Sequence, residues 1–280
     1  DIILNYSAWD AVTNGGAGDD QVTNNGTISG AGVDPEWDLS GGNDVFSNYG
    51  TVEADVEIDM GADQDTLNLY DGAVLGSVRL DAAGEYDLLN IGSNGILSGS
   101  VDLGAGFNGL IVNGLVGTKG SISAGGGPDD LLIGSTGTVQ GQVDLGDGDN
   151  TIQVDGTISA TGALMVGSGD DSLELGSTGR LYAATDLGAG SDSFEVVSGG
   201  LVNAIVNMGA DADLIRIFGR IESGGAINGE EGNDTLFLEE TAEISTGGNI
   251  NLGPDSDQAT VRGDIAGTLS LGEGVDTATW

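Results

Sequence analysis

The 280-residue chain has no cysteine and no histidine, three prolines and six lysines and arginines, and aromatic residues make up 5% of it. Without Cys or His, disulfides, thiolate nucleophiles, imidazole general bases and Cys/His zinc sites are all excluded. The six basic residues face 45 acidic ones, giving a formal net charge of −39. A surface of that sign repels nucleic-acid phosphates, so nucleic-acid binding is not expected. Only Lys119, Arg79, Arg180, Arg216, Arg220 and Arg262 could hold an anionic substrate. No apolar run approaches the ~18 residues of a membrane span, and no signal-peptide pattern opens the chain. Its start at Asp1 is that expected of a processed product or an excised segment, which leaves secretion open.

Glycine is abundant, at 53 residues. Disorder is still not the expectation, because Leu, Ile, Val and Phe make up roughly a quarter of the chain and are spread evenly along it. A block of the form Gly-x-Gly-x-Asp-x-Leu recurs, as GAGDDQV at 16–22, GGGPDDL at 125–131, GSGDDSL at 167–173 and GAGSDSF at 188–194. Its last Asp or Asn anchors positions 1, 20, 44, 65, 87, 108, 129, 150, 171, 192, 213, 234, 257 and 276, and the seven intervals from Asp87 to Asp234 are each 21 residues. After Asp87 come Leu89, Ile91, Leu97, Val101 and Leu103; after Asp129 come Leu131, Ile133, Val139, Val143 and Leu145. Spacings of two are strand periodicity, and the intervening glycines read as turns. One unit of three short strands cannot bury its own apolar face, whereas stacked copies can. The pattern therefore predicts an all-β, parallel β-solenoid of about 13 stacked coils of about 21 residues, a rod on the order of 60 Å long. The array fills 1–280 as a single domain, complete or cut from a longer protein.

Stacking files the anchors along one edge. Carboxylates ~4.8 Å apart repel by roughly 0.9 kcal/mol even in water. A calcium ion midway between two stacked oxygens would lie ~2.4 Å from each, within the range of Ca²⁺–oxygen bonds. The candidate metal ligands are therefore Asp20, Asp44, Asp65, Asp87, Asp129, Asp171, Asp192, Asp213, Asp234 and Asp257, with corner carbonyls completing the shell. The competing reading is a file of ordinary turn residues, solvated at an exposed edge and screened by salt. A second acidic file is expected at Asp59, Asp102, Asp144 and Asp186, continued by Asn207 and Asn228.

VTNNGTISG (22–30), VDLGAG (101–106), VDLGDGDNTIQVDGTISATG (143–162) and TDLGAGSDSFEV (185–196) resemble the repeats of bacterial surface proteins, namely autotransporter passengers and filamentous-haemagglutinin-like adhesins. The corner also resembles the calcium-binding RTX nonapeptide. Gly15, Gly16, Gly18 and Asp20 match that motif, whereas Leu187 and Met208 replace its first glycine and Asp63, Asp211 and Asp255 its third; the period is ~21 rather than nine. The resemblance implies a β-solenoid at the bacterial cell surface, outside the cell.

The expected function is a structural or adhesive scaffold (stalk, matrix component or filament body) without catalytic residues. Its expected partners are other copies of itself, head to tail or laterally, and cell-surface or matrix polysaccharide. The alternative is a polysaccharide lyase or hydrolase, which would need paired carboxylates in a cleft or a calcium ion with an Arg or Lys base. No aromatic platform accompanies Arg216 and Arg220 in sequence, and Trp9, Trp37 and Trp280 read as end caps or as filling for the long interval at Asp34-Pro35-Glu36-Trp37. Ice binding would call for aligned threonines, which hold no fixed place in the repeat.

Overall fold

A computed structural model describes residues 2–9, 13–30, 37–74, 76–80 and 85–280. The anchor Asp1, the Asp34-Pro35-Glu36 segment and the side chain of Trp9 lie outside the described residues. The fold is an all-β parallel β-solenoid of about 12 turns, with no helix among the described residues. Its contacts divide it into two compact units, Asp1–Leu131 with Thr136–Gly146, and Leu132–Ser135 with Asp147–Trp280.

Each coil lays down three strands. In the first unit a representative coil is Leu88–Ile91, Ile96–Leu97 and Ser100–Asp102. In the second it is Ser193–Val196, Leu201–Val202 and Ile205–Ala210. Each strand pairs in parallel with its equivalent one coil later, so that Leu67 meets Leu89 and Leu89 meets Leu110. Likewise Phe194 meets Ile215, which meets Leu236. Alternation sends every second side chain inward, where columns such as Val74–Leu97–Val116 and Val206–Ile227–Ile250 form the core. A buried aliphatic side chain contributes roughly 1.5–3 kcal/mol, and each coil repeats about five such positions.

The first coils depart from the apolar rule. Asn5, Asn24 and Asn48 occupy the inward place that Leu69 and Ile91 take later. They stack as an amide ladder: Asn5 Nδ2 donates to Asn24 Oδ1 and Asn24 Nδ2 to Asn48 Oδ1, both at 2.7 Å. Each Oδ1 also accepts a turn N–H, from Ser7, Gly26 and Gly50 respectively. These amides are buried and hydrogen-bonded, as the interior demands. Trp37 is buried beside them, edge-on to Phe46 at 6.1 Å between ring centroids, whereas Trp280 is exposed.

Candidate metal centre: the buried aspartate file

The corner before each anchor is built by residues that accept left-handed backbone. Positive φ recurs four and two residues ahead of the anchor, as at Gly146 (φ 75°) and Gly148 (φ 129°) before Asn150, and at Gly188 (103°) and Gly190 (139°) before Asp192. Where the second glycine is replaced, Asp63, Asp211 and Asp255 take φ of 81–85°, a conformation that short polar side chains tolerate. This corner delivers the anchor to the residue just ahead of the next strand.

The anchors do form a file within each unit, but they are not on a solvated edge. All ten candidate aspartates are buried, at 3% exposure or less. The physical reason is the alternation itself: an anchor lies two residues ahead of an inward apolar residue, such as Val22, Phe46 or Leu89, and shares its face. One carboxylate oxygen is consumed by the backbone. Asp44 Oδ1 accepts the N–H of Asp20 at 2.7 Å, Asp65 that of Asp44 and Asp87 that of Asp65, both at 2.8 Å. In the second unit Asp171, Asp192, Asp213, Asp234 and Asp257 each take the N–H of the anchor one coil earlier, at 2.8–3.0 Å. Asp129 takes the N–H of Asn108 at 2.8 Å. The file is thus held by a one-way ladder.

The other oxygen is the unusual one. Oδ2 of Asp44, Asp65, Asp171, Asp192, Asp213, Asp234 and Asp257 is buried and has no hydrogen-bond partner. What surrounds it is revealed by the two asparagines in the file. Asn108 Nδ2 donates to the carbonyl of Ala124 at 3.0 Å, and Asn150 Nδ2 to the carbonyl of Gly148 at 2.9 Å. Ala124 stands five residues ahead of the following anchor; Gly148 stands two ahead of its own. Asp234 repeats the first arrangement, because its Oδ2 and the carbonyl oxygen of Leu252, five ahead of Asp257, both crowd the open Cα face of Gly229. At Asp234, then, a carboxylate oxygen and a carbonyl oxygen lie side by side where Asn108 and Asn150 place an amide nitrogen against a carbonyl. A proton, a cation or a water molecule donating to both would resolve such a pair.

Burial pushes the carboxyls up, to about 8 at Asp65 and Asp213, about 7 at Asp129 and Asp192, and about 6 at Asp44, Asp171 and Asp234. The hydrogen bond from the preceding anchor's N–H offsets part of this, and neighbouring carboxylates add to it along most of the file. Asp257 is raised by the same burial.

The donor set, carboxylate plus carbonyl, is all hard oxygen and suits Ca²⁺. Among the described residues no three acidic side chains converge, so any such ion would take most of its shell from backbone. Its place also differs from the sequence expectation. At Asp234 the open oxygen lies beside the carbonyl of Leu252, while the other oxygen accepts the N–H of the neighbouring anchor Asp213. The first RTX-like position, Gly15, adjoins Asp20 Oδ2. Gly229 holds the same place before Asp234, whereas other coils put Leu187, Met208 or Leu252 there, so the loss of glycine is a core substitution.

The second expected acidic file is broken up. Arg79 stands between Asp59 and Asp102, 3.9 Å from the Asp59 carboxylate, and Ser123 stands between Asp102 and Asp144. Asp186 is followed by Asn207, Asn228 and Asn251. Several basic side chains are spent on surface pairs: Arg220 lies 3.2 Å from Glu243 and 3.6 Å from Glu222, and Arg262 2.9 Å from Glu239, while Arg180 donates to the carbonyls of Gly179 and Gly199. Arg216 does have an aromatic neighbour that linear reading missed, since the next coil sets the Phe237 ring 5.5 Å beneath its guanidinium.

No family model matches the chain, and no curated protein does. Among solved structures, the chain is similar to the crystal structure of a hyperactive, Ca²⁺-dependent, β-helical antifreeze protein from an Antarctic bacterium, with 25% identity and a TM-score of 0.75 over 98% of this chain and 83% of that one.

Proposed function

We propose that the chain is a non-catalytic, calcium-stabilised β-solenoid scaffold of a secreted bacterial surface protein, of the adhesin or stalk type. The observation that carries this reading is the file of buried aspartates whose second oxygen lacks a hydrogen-bond partner, as at Asp65, Asp192 and Asp213, and at Asp234 lies beside a backbone carbonyl. A cation seated between them would cancel both the desolvation of the carboxylate and the oxygen–oxygen contact. The Ca²⁺ dependence of the similar antifreeze protein supports the choice of ion. The non-catalytic reading is supported by the ion pairs of Arg79, Arg216, Arg220 and Arg262 and by the near-identity of successive coils. The depression beside Arg180 and Arg220 is a hollow of about 280 Å³ that includes Glu243.

Ice binding is not preferred. Within either unit outward threonines stand on at most two successive coils, as Thr27–Thr51 and Thr260–Thr279.

The test is thermal unfolding at pH 7.5 with excess Ca²⁺ and with EDTA. The expected result is a melting temperature higher by well over 10 °C with calcium, since many sites bind only the folded chain. Equal melting in the two conditions, or an equal gain from Mg²⁺, would overturn the reading.

A further inference from the structure

The outward face of the first sheet in the first unit stands apart from the rest of this acidic molecule. Over the six strands from Ile2–Asn5 to Gly109–Val112 no outward side chain is charged. The equivalent columns of the second unit carry Glu174, Glu195 and Arg216. Acidic side chains beside the neutral face stand at the corners, Asp19, Asp63 and Glu85 on one side and Asp71 on the other, and exposed Asp130 opens the next strand of the sheet and bounds the face there. In a chain of net charge −39, a neutral face about 24 Å long along the stacking direction is a distinct surface.

Aromatic rings flank it. Tyr49 and Tyr70 follow two consecutive strands and stack at 4.9 Å with an interplanar angle of 24°. Tyr86 and Phe107 precede the next two and lie 5.3 Å apart. All four rings remain 37–44% exposed. Tyr86 folds onto the sheet, with its hydroxyl 2.5 Å from where a Cβ of Gly109 would stand. A glycine inside a strand marks such a close approach. Between the two pairs runs an amide step, Asn90 Nδ2 donating to Asn68 Oδ1 at 3.3 Å. The pairs occupy opposite rims on successive coils, so a ligand touching both crosses the sheet diagonally over these amides.

We propose that this face binds a neutral polysaccharide, the Tyr49–Tyr70 and Tyr86–Phe107 pairs stacking on sugar rings and the half-buried Asn90 amide, held by buried Asn68, bonding hydroxyls. This rests on the adhesive-scaffold reading and names its partner. Amphipathic rings present large contact area with little entropy loss on a rigid sheet. Neutrality selects the ligand class, since an anionic polymer would meet the molecule's own field and gain no counter-charge here.

The test is depletion of the calcium-saturated full chain by cellulose, chitin and alginate, with parallel partitioning into growing ice. Expected is depletion by cellulose or chitin and not by alginate. The double variants Y49A/Y70A and Y86A/F107A should each weaken binding about tenfold or more. Ser47→Glu, which adds a charge but keeps the rings, should weaken it too, whereas Ser193→Glu on the second unit should bind like the parent. Circular dichroism melts verify that each variant is folded. No depletion by either neutral polymer, preference for alginate, unchanged binding by the folded ring and Ser47 variants, or retention on ice alone overturns the proposal. Calcium-dependent melting without glycan binding sinks this inference and leaves the scaffold reading standing; the converse result sinks only the calcium.

Discussion

At the scale of the residue, Asp and Asn differ at an anchor by one group, and the file uses that difference. An Asn completes the corner internally, its amide nitrogen reaching the carbonyl of Ala124 or Gly148. An Asp leaves an oxygen there and so couples the coil to protons and cations. In EDTA the sign follows from the raised carboxyls. A group near 3.8 in the unfolded chain and about 8 at Asp65 or Asp213 in the fold binds its proton more tightly when folded. The native state therefore gains from acid: stability is greatest at about pH 4, falls as pH rises, and levels off above about pH 8. Calcium should reverse the trend, because it selects the ionised form. Asp213→Asn is expected to raise the EDTA melting temperature at pH 8 while shrinking the calcium increment. Melts from pH 4 to 9 with both chelator and calcium check this, and stability in EDTA that climbs with pH would contradict the buried, unmetallated file.

At the scale of the element, the corner depends on Cα atoms approaching the carbonyl of the coil before. Gly188 combines φ of 103° with the carbonyl oxygen of Gly167 where a Cβ would go. Gly188→Ala should cost about 1–3 kcal/mol or more, whereas Ala189→Ser, exposed in the same corner, should stay within about 0.5 kcal/mol. Urea titration of the two calcium-saturated variants measures the contrast. Much of this element was legible beforehand. Period and alternation place three strands, Leu89 and Ile91 inward, and turns at the glycines. The same alternation puts Asp87 on the face of Leu89, so the burial of the anchors was also legible; the preference of Asp for exposed turns masked it. Tyr49 and Tyr70 each lie five residues past an anchor, which makes their stacking readable from spacing. The lapping of Tyr86 over Gly109 is not, because it depends on how far a ring folds back across a neighbouring coil. Asn5, Asn24 and Asn48 read as solvent-facing until stacking supplies each amide with the next.

At the scale of the whole molecule, what matters is that each coil touches only its neighbours, so stability accumulates coil by coil and register is the shared constraint. Excising 172–192 from the second unit would test this directly. The new junction Asp171–Ser193 repeats the native steps Asp171–Ser172 and Asp192–Ser193. Ile152 would then meet Phe194 in place of Leu173, and Val154 would meet Val196 in place of Leu175. The N–H of Asp171 would pass from Asp192 to Asp213, keeping the ladder unbroken. The shortened chain should fold with the same β-rich circular dichroism spectrum and bind one calcium ion fewer per chain by titration calorimetry. Excising 172–181 instead should fail. It sets Asp171 directly before Tyr182, leaving the next strand without its Leu173 and Leu175 places and its coil about ten residues short of the period. If both deletions fold equally well, coils are not the unit of this structure. If neither folds, stability is shared over spans longer than a coil, and nearest-neighbour stacking is the wrong description of how the chain holds together.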